Sequence, residues 1–197
     1  MKRKMFFVLT LAIVLPLALS AQKVKNQKPR AKSLVVFFSH AGENYAVGNI
    51  AVGNTKIVAD YICEATGADQ FEIVAEKNYD MPYAELIKVA KDEATRGELP
   101  AYRGSVDVTP YDTIFIGGPI WWGTFPRVMF TFFKQNNLGQ KTLIPFATHE
   151  GSGLGSVVSD VKKAYPKARV LNGFSIYGHE VRTEHEKVTR WLRSLGR

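Results

Sequence analysis

Ser33-Leu34-Val35-Val36-Phe37-Phe38 is an almost continuous apolar run, typical of a strand buried on both faces of a parallel sheet. Further runs of strand type follow, and segments with apolar residues at helical spacing lie between them and end the chain. Strands that alternate with helices predict a parallel sheet covered by helices on both faces. We therefore expect one α/β domain over residues 33–197, with later strands at 69–74, 112–117, 141–148 and 168–174.

The composition is that of a chain able to fold into one domain of ordinary size. Of its 197 residues, 46% are hydrophobic and 22% are charged, which allows a full core. The only cysteine, Cys63, excludes an internal disulfide and a cysteine-rich metal cluster. The formal net charge is +8, but no basic stripe is interleaved with aromatic residues, so we expect no nucleic-acid partner.

The first 21 residues have the pattern of a secretory signal peptide. A cationic start is followed by an apolar run at 5–19 that is short for a membrane span, and small residues at Ala18 and Ser20 suit cleavage. Residues 22–32 are polar and are interpreted as a linker. We expect export to the periplasm or the exterior, with no stable membrane span after cleavage; an uncleaved tether is the alternative.

The loop after the first strand carries groups that suit a phosphate. Ser39 and His40 follow the strand, and after an insertion at 43–52 the segment Gly53-Asn54-Thr55 opens a helix. Hydroxyl and amide groups beside a helix N-terminus favour an anion, because the first N–H groups and the helix dipole point at it. An ordinary Asn or Thr cap is the alternative interpretation.

The loop after the third strand holds two adjacent tryptophans, Trp121 and Trp122, between Pro119-Ile120 and Gly123. Adjacent side chains point in different directions. We therefore expect one indole to pack inward while the other offers a flat face to a planar aromatic ligand. The alternative is that both indoles pack under the neighbouring helix.

The loop after the fourth strand is Thr148-His149-Glu150-Gly151-Ser152-Gly153. Closely spaced glycines let backbone N–H groups approach a ligand. The segment is not a dinucleotide fingerprint, because it follows the fourth strand and no acidic residue ends the next one. His149 has no evident acid or nucleophile partner, so we interpret it as a residue at the site rim. We assign no catalytic residue, and no spacing of histidines predicts a metal site.

Together these loops resemble those of flavodoxins, in particular exported bacterial flavodoxin-like proteins. The resemblance is carried by Phe37-Phe38-Ser39 with Asn54-Thr55, by Gly118-Pro119-Ile120-Trp121-Trp122-Gly123-Thr124, and by Pro145-Phe146-Ala147-Thr148-His149 with Gly151-Ser152-Gly153. It implies a flavodoxin-like doubly wound five-stranded parallel sheet of order 2-1-3-4-5 with bound FMN.

The same resemblance implies roles for the loop residues. The first loop would hold the FMN phosphate, the second would flank the flavin ring, and the third would hydrogen-bond the polar edge of the ring. The implied cofactor-binding residues are Ser39, His40, Gly53, Asn54, Thr55, Pro119, Ile120, Trp121, Trp122, Gly123, Thr148, His149, Glu150, Gly151, Ser152 and Gly153.

The chain departs from the flavodoxin pattern in two respects. The insertion at 43–52 separates Gly42 from Thr55, so either Gly42 or Gly53 fills the glycine position of the phosphate loop. Flavodoxins that carry electrons tend to be acidic, whereas this chain is basic. The electrostatics of their usual partners are therefore not carried over.

Three functions remain compatible with the sequence. The first is an FMN-binding electron carrier that serves a redox partner protein or a small quinone, with the flavin performing the redox step. The second is an NAD(P)H-dependent quinone or flavin reductase on the same fold, against which the expected scarcity of NAD(P)H outside the cytoplasm counts. The third is a non-redox module that binds another nucleotide or a partner.

Overall fold

The apolar run that opens the domain forms the central strand of the sheet. The computed structural model describes residues 32–196, so the predicted signal peptide and all but the last residue of the predicted linker lie outside the described residues. The strands are β1 (Ser33–Phe37), β2 (Gly42–Asn44), β3 (Gly48–Ile50), β4 (Asp69–Glu72), β5 (Val74–Ala75), β6 (Tyr102–Arg103), β7 (Thr113–Pro119), β8 (Thr142–His149), β9 (Arg169–Val170) and β10 (Phe174–Tyr177).

Five helices alternate with these strands. They are α1 (Asn54–Thr66), α2 (Tyr83–Arg96), α3 (Arg127–Gln135), α4 (Val157–Ala164) and α5 (His185–Ser194), and a 3-10 turn spans Gly178–Glu180. Within the described residues, none of the helices is both long enough and apolar enough to cross a bilayer.

The main sheet has the order β10-β8-β7-β1-β4, with β9 also beside β8. Every pair in it is parallel. When β9 and β10 are counted as one interrupted strand, this is the order 2-1-3-4-5, so the predicted fold class is confirmed.

Alternate residues of β1 enter two separate cores. Leu34 and Val36 pack with residues of α2, α3 and α4, while Val35 and Phe37 pack with residues of α1 and α5. Both faces of the sheet are therefore covered, which explains why the strand shows no polar alternation.

The fifth strand is broken, in contrast to the continuous strand predicted at 168–174. Leu143 pairs with Val170 and Phe146 with Phe174, so residues 171–173 face only the two residues between those partners. The break lies opposite Pro145, which has no backbone N–H for a ladder. The second half of the strand therefore ends three residues later than predicted and delivers the turn Gly178–Glu180 to the rim of the sheet.

The insertion at 43–52 folds as an antiparallel hairpin of β2 and β3. Asn44 holds its base, because the side-chain Nδ2 donates to the Gly42 carbonyl at 3.1 Å. The Glu43 carboxylate accepts a hydrogen bond from the backbone N–H of Tyr83 at 2.8 Å, and the rings of Tyr45 and Tyr83 lie 6.0 Å apart. The hairpin is thereby attached to the start of α2.

Candidate functional site

The loops after β1, β7 and β8 meet in one cleft with a volume of about 240 Å³. The cleft lies beyond the carboxyl ends of these strands, where the strand order reverses and α/β proteins bind ligands. The predicted residues that line it are His40, Asn54, Thr55, Pro119, Ile120, Trp121, Thr148, His149, Glu150 and Ser152. The remaining predicted residues do not line it: Ser39, Gly53, Trp122, Gly123, Gly151 and Gly153.

One end of the cleft is the start of α1. The Ser39 hydroxyl caps this helix from a distance, accepting a hydrogen bond from the Lys56 N–H at 3.0 Å. The first two helical N–H groups, those of Asn54 and Thr55, have no acceptor among the described residues. Free N–H groups at the positive end of the helix dipole give this end the character of an anion site.

Gly53, which directly precedes α1, is a position of close backbone approach. A Cβ built on it would lie 2.6 Å from the His40 carbonyl oxygen and closer still to the Ser39 hydroxyl. Gly42 lies elsewhere, at the base of the hairpin with a φ of +90°. Of the two glycines, Gly53 is therefore the one that lets the β1 loop pack against the helix start.

Thr55 points its hydroxyl at the end of β8. The side chain is only 1% exposed, and its Oγ1 lies 2.8 Å from the Oγ1 of Thr148. One hydroxyl of the pair donates to the other. This buried contact ties the helix start to the strand that carries the third loop.

We expect Thr55→Val and Thr148→Val each to lower the free energy of unfolding by about 1–3 kcal/mol, because each leaves one buried hydroxyl unsatisfied. The double variant, which removes both hydroxyls, is expected to lose less than the sum of the two single losses. Urea denaturation of the four proteins measures this. Additive losses would mean that the two hydroxyls do not interact.

The Trp121–Thr124 turn sends its two indoles in different directions. Trp121 and Thr124 exchange backbone hydrogen bonds, and Trp122 and Gly123 between them have φ values of 52° and 86°. Positive φ at both central residues is the pattern of a type I′ turn. The expectation that adjacent indoles diverge is confirmed.

Trp121 forms the aromatic wall of the cleft. Its ring packs edge-on against Phe38 at 5.6 Å, His40 at 5.8 Å and Tyr79 at 5.3 Å between centroids. Tyr79 is held in turn by the buried carboxylate of Glu93, 3.0 Å from its hydroxyl. The orientation of the Trp121 ring is therefore set by packing on several sides.

Trp122 lies outside the cleft and is 53% exposed. Its Nε1 donates to the Ile87 carbonyl of α2 at 2.9 Å, and the Lys91 amino group lies 4.9 Å from the ring centroid. It lines a second, mostly apolar cleft against α2. Ile120 and Trp121 line this second cleft as well, so the expectation that the outward indole contacts the same ligand stays a prediction, which the flavin titration of Trp122→Ala tests.

The glycine-rich loop after β8 closes on the tryptophan turn. The Ser156 N–H donates to the Gly123 carbonyl at 2.8 Å. The hydroxyls of Ser156 and Thr124 each donate to the same Asp160 oxygen at 2.6 Å. The loop that contains Gly151, Ser152 and Gly153 is thus fixed between the β8 end and the turn.

His149 and Glu150 are held by the third loop and by the turn after β10. The Nδ1 of His149 accepts the Gly151 N–H at 2.8 Å, so the neutral ring carries its proton on Nε2. Burial lowers the pKa of His149, although the nearby Glu150 acts in the opposite direction. The Glu150 carboxylate accepts a hydrogen bond from the backbone N–H of His179 at 2.9 Å and lies 2.6 Å from the Nδ1 of the His179 ring. These contacts position the two side chains at the rim of the cleft.

A flavodoxin family model matches residues 32–195 of the chain. The chain belongs to the flavodoxin family. No curated protein matches it.

Solved structures resemble this flavodoxin over most of its length. A presumed flavoprotein from Bacteroides eggerthii is 28% identical, covering 85% of this chain and 99% of its own, with a TM-score of 0.67. One from Bacteroides uniformis is also 28% identical, covering 83% and 98%, with a TM-score of 0.68. A flavoprotein from Lactobacillus acidophilus, solved in complex with FMN, is 23% identical, covers 77% and 97%, has a TM-score of 0.60 and shares the fold.

Sequence reasoning missed several residues that line the cleft of this flavodoxin. The hairpin contributes Asn44, Tyr45 and Val47, helix α2 contributes Tyr83 and Leu86, and the turn after β10 contributes Gly178. The insertion itself was the only local signal for the hairpin residues. Nothing in the pattern around Gly178 or α2 places them at the site, because only the tertiary fold brings those segments to this rim.

Gly178 is a second position of close approach in this flavodoxin. A Cβ built on it would lie 2.7 Å from a Glu150 carboxylate oxygen and closer still to the Asn54 side-chain nitrogen. The absence of a side chain at 178 therefore lets the first and third loops meet the turn after β10.

His40 is buried with a free ring nitrogen. It is 7% exposed, and its Nε2 has no hydrogen-bond partner among the described residues. Burial lowers the pKa of His40 and outweighs a backbone hydrogen bond with Glu43 and the charge of Asp80, which both raise it. The ring is therefore neutral at pH 7.

This burial predicts acid sensitivity. The unfolded chain binds a proton on His40 more readily than the folded chain, so the free energy of unfolding falls as the pH drops through about 6.5. We expect His40→Asn to reduce this loss between about pH 7.5 and 5.5, as measured by urea midpoints, while the part due to His149, whose pKa burial also lowers, remains. An unchanged pH slope in the variant would exclude His40 as its source.

Proposed function

We propose that this flavodoxin binds FMN in the cleft and passes electrons to a redox partner protein or a small quinone. The observation that carries the proposal is the placement, at one rim, of an anion-binding helix start and an aromatic wall. A ligand with a phosphate at one end and a planar ring at the other needs the helix start for its phosphate and the aromatic wall for its ring. The complex of the Lactobacillus acidophilus flavoprotein with FMN supports the choice of cofactor.

The residues of the cleft fit the phosphate end of FMN. The free N–H groups of Asn54 and Thr55 and the amide of Asn54 offer donors, and Gly53 allows the β1 loop to approach. Hydrogen bonds to a phosphate are charge-assisted and are the stronger kind. These groups would hold the phosphate without a Walker-type lysine loop.

The other end fits the flavin ring. Ile120 and Trp121 provide the apolar wall, and the loop from Thr148 to Ser152 lies beside it. FMN, when bound, supplies the one-electron and two-electron chemistry, while these residues bind the ring, orient it and exclude water from it. The contact between Glu150 and His179 holds the carboxylate at the rim of the cleft.

A flavin titration tests the proposal. Apo protein is titrated with FMN and with riboflavin, and visible absorbance and flavin fluorescence are recorded. We expect a yellow complex with FMN that binds more tightly than riboflavin. Equal affinities would contradict a phosphate contact, and a protein that stays colourless with FMN would contradict the cofactor.

Electron transfer is tested on the loaded protein. Reduction by dithionite followed by rapid reoxidation with a small quinone or an added electron-transfer protein is the expected result. Sustained NAD(P)H oxidation by the pure protein would instead make it a reductase.

We also propose that the chain acts after export. The cationic start and the apolar run at 5–19 support this. Cell fractionation with N-terminal sequencing of the purified protein tests it, and a cytoplasmic product that keeps Met1 would contradict it.

A further inference from the structure

Arg182 lies behind the start of α1, although 128 residues separate it from Asn54. Its guanidinium forms a fork. One nitrogen donates to the Asn54 side-chain oxygen at 2.8 Å, and the other donates to the Val52 carbonyl at 2.9 Å. The arginine thus contacts both Asn54, which lines the cleft, and the backbone of Val52, which leads into the helix.

The fork determines which end of the Asn54 amide faces the cleft. A guanidinium only donates hydrogen bonds, so the amide must present its oxygen to Arg182 and turn its NH2 group away. That nitrogen has no acceptor among the described residues and lies against Gly178, while Asn54 lines the cleft. The amide is therefore held as a donor at the phosphate end.

We propose that Arg182 is the positioning residue that makes this flavodoxin prefer a phosphorylated flavin. The inference rests on the proposed FMN site. With Asn54 locked, the free groups at this end, the helical N–H groups and the amide NH2, are all donors. A phosphate accepts from several of these donors through charge-assisted hydrogen bonds, whereas the single neutral terminal hydroxyl of riboflavin satisfies only part of them.

Loss of Arg182 removes the hydrogen bond that holds the Asn54 amide in one orientation. The Asn54 amide then rotates freely and presents its oxygen to the phosphate in part of the population, and a positive charge behind the helix start is lost. Both effects weaken FMN binding. Both act mainly on the phosphate group, which riboflavin lacks, so the FMN-to-riboflavin affinity ratio is the quantity that reports the role of Arg182.

The test is a pair of titrations on Arg182→Gln. We expect FMN affinity to fall at least about tenfold, or about 1.4 kcal/mol at 25 °C, while riboflavin affinity stays within about twofold. Arg190→Gln on α5 is the matched control, because it removes an exposed arginine paired with Glu186 at 3.4 Å. The control is expected to leave both affinities unchanged.

Arg182→Lys distinguishes the effect of the two guanidinium hydrogen bonds from the effect of the positive charge. Lysine keeps the positive charge but cannot form the two parallel bonds that hold the amide and the carbonyl. We expect it to recover only the part of the FMN affinity that is due to the charge and to stay weaker than wild type. Full recovery of FMN affinity with lysine would overturn the amide-orienting role.

A double-mutant cycle with Asn54→Ala completes the design. Once the amide is absent, Arg182→Gln is expected to cause a smaller loss of FMN affinity than it causes in the wild-type background, whereas additive losses would overturn the proposal. A purely structural arginine would lower the affinities for both flavins equally, and that outcome also overturns it. A wild-type protein that fails to bind FMN contradicts the proposed function instead, so the two failures are distinguishable.

Discussion

Gly53→Ala is expected to lower FMN affinity by at least ~100-fold, the largest binding effect of any single methyl group at the cleft. The new Cβ would lie 2.6 Å from the oxygen and 2.8 Å from the carbon of the His40 carbonyl, and closer to the Ser39 hydroxyl. Two of these are backbone atoms in the loop after the central strand. The loop and the helix must therefore separate, and the free N–H groups of α1 move away from the phosphate.

The same displacement is expected to cost stability. Insertion of a methyl group into a packed contact typically costs about 1–3 kcal/mol, and here it also removes the cap that Ser39 provides to Lys56. Urea denaturation of apo protein measures this cost, and flavin titration measures the affinity.

Gly139→Ala is the matched control for this variant. Its added Cβ would meet a side-chain oxygen of Asn137 at 3.2 Å, an atom that can move, at a position far from the cleft in the loop before β8. The control is expected to keep FMN affinity and most of the stability. Wild-type affinity in Gly53→Ala would place the phosphate elsewhere on the molecule.

Trp121→Ala is expected to lower the free energy of unfolding by about 3–5 kcal/mol, whereas Trp122→Ala lowers it by about 1 kcal/mol. Trp121 fills a space between Phe38, His40 and Tyr79, and its removal leaves a cavity. Trp122 is 53% exposed and loses mainly its hydrogen bond to Ile87. Adjacent residues of one type thus serve as each other's controls.

The two variants are also expected to differ in flavin binding. Loss of Trp121 removes the aromatic wall, so both FMN and riboflavin bind more weakly, while Trp122→Ala keeps both affinities close to wild type. Trp121→Phe retains an aromatic ring and is expected to be intermediate in both measurements. Equal losses from Trp121→Ala and Trp122→Ala would mean that both indoles share the cleft.

The alternation of strands and helices was predictable because hydrophobic periodicity is a local property. Each run of apolar residues indicates which of its own side chains are buried. Parallel strands also place the loops that follow them at one edge of the sheet. This is why spacing along the chain suffices to group the residues after β1, β7 and β8 as one site. The flavodoxin resemblance supplied the strand order that periodicity alone does not contain.

The interruption of the fifth strand was not predictable from its own residues. Leu171-Asn172-Gly173 fits a strand locally, but the neighbouring β8 presents Pro145 at that level and offers no N–H. The extra residue between β9 and β10 accommodates Pro145 in the neighbouring strand β8. Its consequence, which places Gly178 at the cleft and Arg182 at the start of α1, was equally unpredictable from the local sequence.

The fold class, the position of the three loops and the presence of two indoles in the second loop all follow from the order of residues along the chain. Three further features follow only from the folded chain: which indole faces the cleft, the meeting of Thr55 with Thr148, and the orientation of Asn54 by Arg182. Such contacts join side chains that lie far apart in sequence, and their geometry depends on strand register and on helix packing. No local sequence pattern predicts this geometry.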